Sequence, residues 1–193
     1  MIYSALQSLT LKLNDFIKIR YGTNEDLAEL SNILEQDGSL TLKETNKLIV
    51  SLINLEREPL LNGFPRSYDK GGTTHRVSAP PAFINLFVIF IALSSGKHYP
   101  NALKLLSTVV EFFQVNFSID HQNTPWLSNN IEKLTFEIVN IDIQTLSQLW
   151  GALGCKYMPS VVYKVRMLTI DPEEVQSEIP AILKTQPNLS QHP

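Results

Sequence analysis

Ala82-Phe83-Ile84-Asn85-Leu86-Phe87-Val88-Ile89-Phe90-Ile91-Ala92-Leu93 is the stretch whose reading decides how this chain folds. Among these twelve residues only Asn85 is polar, and the β-branched and aromatic side chains suit a pleated surface better than a helix. The stretch is also too short to cross a bilayer as a helix, which takes about 20 residues. It reads as a strand buried on both faces. Residues 47–56 repeat the pattern, with Leu48, Ile49, Val50, Leu52, Ile53 and Leu55 leaving little polar surface on either side.

Strands buried on both faces need covering layers, and the flanking sequence supplies helices. Ile2, Leu6, Leu9, Leu13 and Phe16 step by four, three, four and three, which lines one helical face, and Gly22 is a natural stop. Tyr99-Pro100 opens a second helix with Ala102, Leu103, Leu106, Val109, Val110 and Phe113 as its apolar stripe, flanked by Leu105 and Phe112. Asp142 is placed to cap a short third helix carrying Leu146, Leu149, Trp150 and Leu153, closed by Gly154. Residues 133–141 alternate, Leu134, Phe136 and Ile138 opposing Lys133, Thr135 and Glu137. Pro159 introduces a last strand in which Val161, Tyr163, Val165 and Met167 oppose Lys164 and Arg166. A weaker strand is expected at 27–35, before the turn signal Asp37-Gly38. Regular β-α-β alternation is absent. The expectation is a single α+β domain, its largely antiparallel or mixed sheet of about five strands flanked by about three helices.

Two segments carry no periodicity. Residues 57–81 hold four prolines and three glycines and read as a long loop, mobile until it touches a neighbour. The last 23 residues hold four prolines. The chain is therefore divided into a domain at 1–170 and a proline-rich tail at 171–193. That tail is either a mobile arm or a strand that orders on a partner.

Composition narrows the function. Across 193 residues, 16 basic against 19 acidic side chains give a net charge of −3, which excludes nucleic-acid binding by bulk electrostatics. Charged residues are only 18% of the chain, a thin coat that suits surface covered by other subunits. The N-terminus has no basic leader and Lys12, Asp15 and Lys18 interrupt any apolar run, so a cytoplasmic origin without membrane insertion is expected. The one cysteine, Cys155, has no partner for an internal disulfide or a cysteine zinc site.

Catalytic constellations are missing. His75, His98, His121 and His192 stand too far apart in sequence for metal-ligand spacing. Gly71-Gly72-Thr73-Thr74 lacks the lysine of a phosphate-binding loop. Glu56 and Glu58 read as a charged strand end, and Glu173 and Glu174 as solvated tail. No cofactor, metal or enzymatic activity is expected. A ligand-binding or enzyme subunit using the 57–81 loop is the alternative that this silence disfavours.

Three stretches carry a resemblance. They are Asn46-Lys47-Leu48-Ile49-Val50-Ser51-Leu52-Ile53-Asn54-Leu55-Glu56-Arg57-Glu58-Pro59; Pro80-Pro81-Ala82-Phe83-Ile84-Asn85-Leu86-Phe87-Val88-Ile89-Phe90 with Ala102-Leu103-Lys104-Leu105-Leu106-Ser107 and Phe112-Phe113-Gln114; and Leu149-Trp150-Gly151-Ala152-Leu153-Gly154-Cys155-Lys156-Tyr157-Met158-Pro159-Ser160-Val161-Val162-Tyr163-Lys164-Val165. In this order they resemble the N-terminal domain of tail-terminator (cap) proteins of phage-tail-like extracellular contractile injection systems, over roughly residues 1–170. The resemblance implies a structural protein. It implies a homo-hexameric ring on the last ring of inner tube and contractile sheath, which ends polymerisation and anchors the sheath. A baseplate or tail-completion adaptor built on the same domain is the alternative within assembly.

A ring needs two different patches per subunit. Phe64, Tyr68, Tyr99 and Trp126 suit such patches, although an aromatic is more often local packing. Arg57, Glu58 and Arg66 flank or lie in the long loop. Lys156, Tyr157, Lys164 and Arg166 surround the last strand, where solvated charge is the plain reading and contact with an acidic sheath or tube surface the sharper one. Trp150 and Tyr163 are expected in the core. For the sheath contact, the tail is favoured as an arm, because prolines 172, 180 and 187 suit a strand paired on one side only.

Overall fold

The computed structural model describes residues 1–42, 46–58, 67–69, 74–78, 82–94, 96–169 and 175–180; for 67–69, 74–78, 82, 96 and 175–180 it describes the backbone alone. In chain order these form α1 (Ile2–Tyr21), β1 (Ala28–Leu30), β2 (Leu48–Arg57), β3 (Ser67–Asp69), β4 (Thr74–Ser78), β5 (Ala82–Ala92), α2 (Tyr99–Val115), β6 (Ser118–Asp120), β7 (Ile131–Ile138), α3 (Ile143–Leu153), β8 (Ser160–Thr169) and β9 (Val175–Pro180).

The main sheet has six strands in the order β1-β2-β5-β8-β7-β6. Neighbouring strands are antiparallel except β1 and β2, which run parallel, so the sheet is mixed. β5 lies inside it between β2 and β8, and its alternation feeds two separate cores. Leu86, Val88, Phe90 and Ala92 enter one, Ile89 and Ile91 the other. This is why the stretch reads as apolar throughout.

α1 and α2 cover the first face. Leu9, Leu13 and Ile17 from α1 and Val109, Phe112 and Phe113 from α2 share a core with Val50, Phe90, Tyr163 and Val165. Phe113 stacks on Tyr163 with ring centroids 4.0 Å apart and meets Phe90 edge-on at 5.3 Å. The stripe of α2 is rotated from the expected one. Leu105 and Phe112 are buried while Leu103 is exposed, because α1 packs beside α2 and draws that side inward. α3 covers the second face, setting Trp150 against Ile49, Ile89, Ile91 and Val162.

Two polar contacts tie the layers at their edges. Asn14 of α1 is buried, and its amide donates to Ala28 O and accepts from Ala28 N–H, both at 2.8 Å. The Lys12 ammonium donates to Asn123 O, Asn123 Oδ1 and Thr124 Oγ1 at 2.9–3.0 Å, holding the turn after β6 to α1.

A second sheet of three strands has the order β3-β4-β9. The β5–β8 ladder ends at Ala82 opposite Thr169, and the same two chain stretches pair again from Ser78 opposite Val175 to Thr74 opposite Pro180. The reading of 57–81 as loop throughout is thereby corrected: β3 and β4 lie within it. Tail residues 175–180 pair inside their own chain rather than only on a partner. Neither Thr74-His75-Arg76-Val77-Ser78 nor Val175-Gln176-Ser177-Glu178-Ile179-Pro180 alternates cleanly. Their pairing follows from the antiparallel ladder that precedes it. Pro180 has no N–H to donate, which an edge strand such as β9 tolerates. The expected strand at 27–35 is cut to Ala28–Leu30, and β6 is a short strand that the sequence reading did not include.

Candidate assembly interface

The expected interface residues that are described lie on separate parts of the surface. Arg57 ends β2 and is exposed, and Glu58 follows it. Glu58 Oε2 accepts from Arg166 Nε at 3.1 Å and from Asn85 Nδ2 at 3.2 Å, across the face of β5. Asn85 is buried, and its Oδ1 has no partner among the described residues. Glu58 and Arg166 are thus paired with each other. With side chains 19% and 41% exposed, the pair is expected to contribute under about 1 kcal/mol. Arg166→Ala should shift the urea midpoint only slightly, and a large shift would mark the pair as structural. Lys164, one pleat along β8 on the same side, stands opposite Phe87 on β5 and Glu137 on β7.

Trp126 is 55% exposed and borders a groove of about 490 Å³ against α1, with Ser4, Gln7, Leu11 and Asp15 on its wall. Tyr99 is exposed at the start of α2. Tyr68 lies on β3, where only its backbone is described, and Phe64 and Arg66 lie outside the described residues.

Lys156 and Tyr157 follow α3. Lys156 is exposed, and Tyr157, 63% exposed, meets the buried Trp150 edge-on at 5.8 Å. Beside them a second groove of about 490 Å³ is lined by Ile143, Leu146, Ser147, Trp150, Gly151, Cys155 and Tyr157. Sequence reading passed over its mouth: Ile143 is almost fully exposed, and α3 carries no charged side chain. That missing charge was the available signal. Val115 and Phe117, bracketing the end of α2, are likewise exposed and were not anticipated.

α3 is held at both ends. Asp142 Oδ1 accepts from Thr145 N–H at 2.7 Å, and Gly154 closes the helix at φ 72°, where a Cβ would be strained. The Thr145 hydrogen bonds draw the Asp142 carboxyl below its usual range. A lowered folded pKa means stability present above the unfolded value and lost as pH falls through the folded one. Asp142→Ala is accordingly expected to speed amide exchange at 143–146 at neutral pH, the difference from wild type closing in acid. Unchanged exchange would show that packing alone holds the first turn.

For chemistry the surfaces offer little. Among the described residues no group of three or more His, Cys, Asp and Glu side chains could hold a metal. Burial pushes the Cys155 thiol up, away from a reactive thiolate. His121 Nε2 lies 2.9 Å from Ile131 O in a structural contact. No described helix is long and apolar enough to cross a membrane.

These features define an α+β domain with a mixed six-stranded sheet covered by helices on both faces. The family whose model is the Pvc16 N-terminal domain matches residues 7–184, and the chain belongs to that family. No curated protein sequence matches it. Two solved structures share its fold. One is the PVC sheath/tube terminator of an extracellular contractile injection system in the extended state, seen by cryo-EM, with TM-score 0.68 and 14% identity over 100% of this chain and 64% of that one. The other is the anti-feeding prophage cap, a tube-terminating cap, with TM-score 0.63 and 13% identity over 92% of this chain and 59% of that one. The chain thus spans less than two thirds of either protein.

Proposed function

We propose that this chain is a structural terminator that caps the inner tube and sheath of a contractile injection particle. The observation that carries the reading is the family match over residues 7–184, together with a fold shared with two terminating caps. The working form is a homo-hexameric ring, assembled in the bacterial cytoplasm and retained in the particle, with tube and sheath proteins as partners and no catalytic step. Lys156, Lys164 and Arg57 supply exposed or half-exposed cations for an acidic tube or sheath surface. Tyr157 and Trp126 supply apolar contact.

Electron microscopy of particles co-expressed with and without this chain tests the reading. Loss of the chain should give tubes of uncontrolled length and poorly retained sheath. Normal length distributions without it would overturn the terminator role and favour a completion adaptor.

The division at 170/171 is also proposed, and it has its own test. Truncation after Asp171 removes β9 but leaves each strand of the six-stranded sheet its partners. The truncated chain should melt near the wild-type temperature while its particles lose sheath anchoring. A collapse in melting temperature would make the tail part of the core. Normal sheath retention would move the anchoring role to the domain's own sheet edge.

A further inference from the structure

The groove beside Trp126 is built from one face of α1 and one loop. Gln7, Ser8, Leu11 and Asp15 line its helix side, and the half-exposed Trp126 borders them. The loop that carries the indole is fixed. Thr124 and Leu127, on either side of Pro125-Trp126, are buried, and Leu127 N–H donates to Thr124 O at 3.0 Å. Lys12 ties Asn123 and Thr124 to α1. An exposed tryptophan held this way loses little freedom on docking, and tryptophan is among the residues that dominate interface energetics.

Asp15 is exposed and is the one charged side chain lining this groove among the described residues. The lysines at helical neighbour spacing do not neutralise it. Lys12, three residues before, gives its ammonium to Asn123 O, Asn123 Oδ1 and Thr124 Oγ1 and feels the charge of Asp120. Lys18, three residues after, pairs with Asp26 at 2.7 Å. Asp15 itself has no ion pair among the described residues.

Ser8 is a second unanswered group. It is 6% exposed, yet its hydroxyl has no hydrogen-bond partner among the described residues. Thr10 of α1 and Ser107 and Thr108 of α2 each donate to the carbonyl four residues back. Ser8 does not, and its lone pairs are left for a donor that enters the groove. A free carboxylate, a free hydroxyl and an indole face all attract the same kind of group, a cation rich in N–H donors. A guanidinium meets each of them: it forks onto a carboxylate, has N–H groups to spare and stacks on an aromatic face. An acidic or wholly apolar segment would leave Asp15 desolvated and unpaired.

We propose that this groove takes an arginine side chain presented by a different protein, forked on Asp15 and stacked on Trp126. Within the chain, Arg20 and Arg166 are already paired with Glu111 and Glu58, which leaves only Arg57 among the arginines whose side chains are described. The site does not depend on the terminator reading. Peptide binding can fail while particles are still capped, and particles can go uncapped while the peptide binds.

The test titrates full-length chain with acetyl-Gly-Arg-Gly-amide and follows the two tryptophan indole N–H signals by NMR, Trp126→Phe assigning them. The Trp126 signal should move saturably and that of the buried Trp150 should not. Asp15→Asn should melt like wild type yet weaken binding by about tenfold or more, the loss of a charge-assisted hydrogen bond. Ser8→Ala should weaken it less. No saturable shift, or equal binding of the same peptide with neutral citrulline in place of arginine, would overturn the site. Equal binding of the lysine peptide would overturn recognition of the fork. Sedimentation showing self-association that Asp15→Asn abolishes would overturn the choice of a different protein and make a second copy the occupant.

Discussion

Replacing Phe90 by alanine is expected to destabilise the domain by about 3–5 kcal/mol, the cost of emptying a phenylalanine site in a packed core. Phe90 is fully buried near the end of β5, and its ring meets Phe113 at 5.3 Å and Tyr163 at 5.9 Å, both edge-on. Removing it opens a hole between the sheet and α2, and Phe113 cannot fill it without leaving its 4.0 Å stack on Tyr163. Domains are stable by about 5–15 kcal/mol, so the change removes about a fifth of the margin or more. Urea denaturation of Phe90→Ala beside Phe90→Leu measures it, with the leucine variant losing clearly less. A loss under about 1 kcal/mol for the alanine variant would mean that the aromatic cluster does not organise this core.

Asn14 carries the second large effect. Its amide satisfies both the N–H and the carbonyl of Ala28, the pair that β1 turns away from β2. Asn14→Ala leaves two buried backbone groups unpaired, at about 1–3 kcal/mol each, so a loss of about 2–6 kcal/mol is expected. Asn14→Asp separates hydrogen bonding from packing. At neutral pH a carboxylate still accepts from Ala28 N–H but turns its second oxygen toward Ala28 O, two acceptors face to face. Protonation restores a donor there, so the folded-state pKa of this aspartate is raised. Its stability is then greatest below the unfolded carboxyl value, about 3.9, and is lost as pH rises through the folded value. Relative to wild type, Asn14→Asp should therefore recover on mild acidification while Asn14→Ala does not. Equal pH profiles for the two would show that water replaces the amide.

The exposed surface was less legible than the core, for a physical reason. Glu58 and Arg166 lie 108 positions apart in sequence, and only the β2-β5-β8 order brings them together over Asn85. Read singly, each looks like a free surface charge. Ile143 and Phe117 are ordinary apolar residues of an amphipathic pattern until the structure shows that the sheet lies elsewhere and leaves them in water. The β4–β9 pairing was hidden for a related reason, since neither segment has an apolar alternation to betray a buried face.

By itself the sequence determined the three helices and the long strands β2, β5, β7 and β8, with the burial of their main faces. The unbroken apolar run at 82–93 required a strand covered on both sides, the Leu9-Leu13 spacing a helix to cover one of them, and Asp142 with Gly154 the limits of α3. These are local consequences of side-chain period and backbone chirality, legible wherever one face meets oil and the other water. Strand order, the parallel entry of β1, the placement of α3 opposite α1 and α2, and the uncharged groove beside Tyr157 were decided only in the tertiary structure. They depend on contacts between residues far apart in the chain, which no local pattern records. An exposed apolar side chain and a buried one obey the same periodicity until the packing of the whole domain distinguishes them.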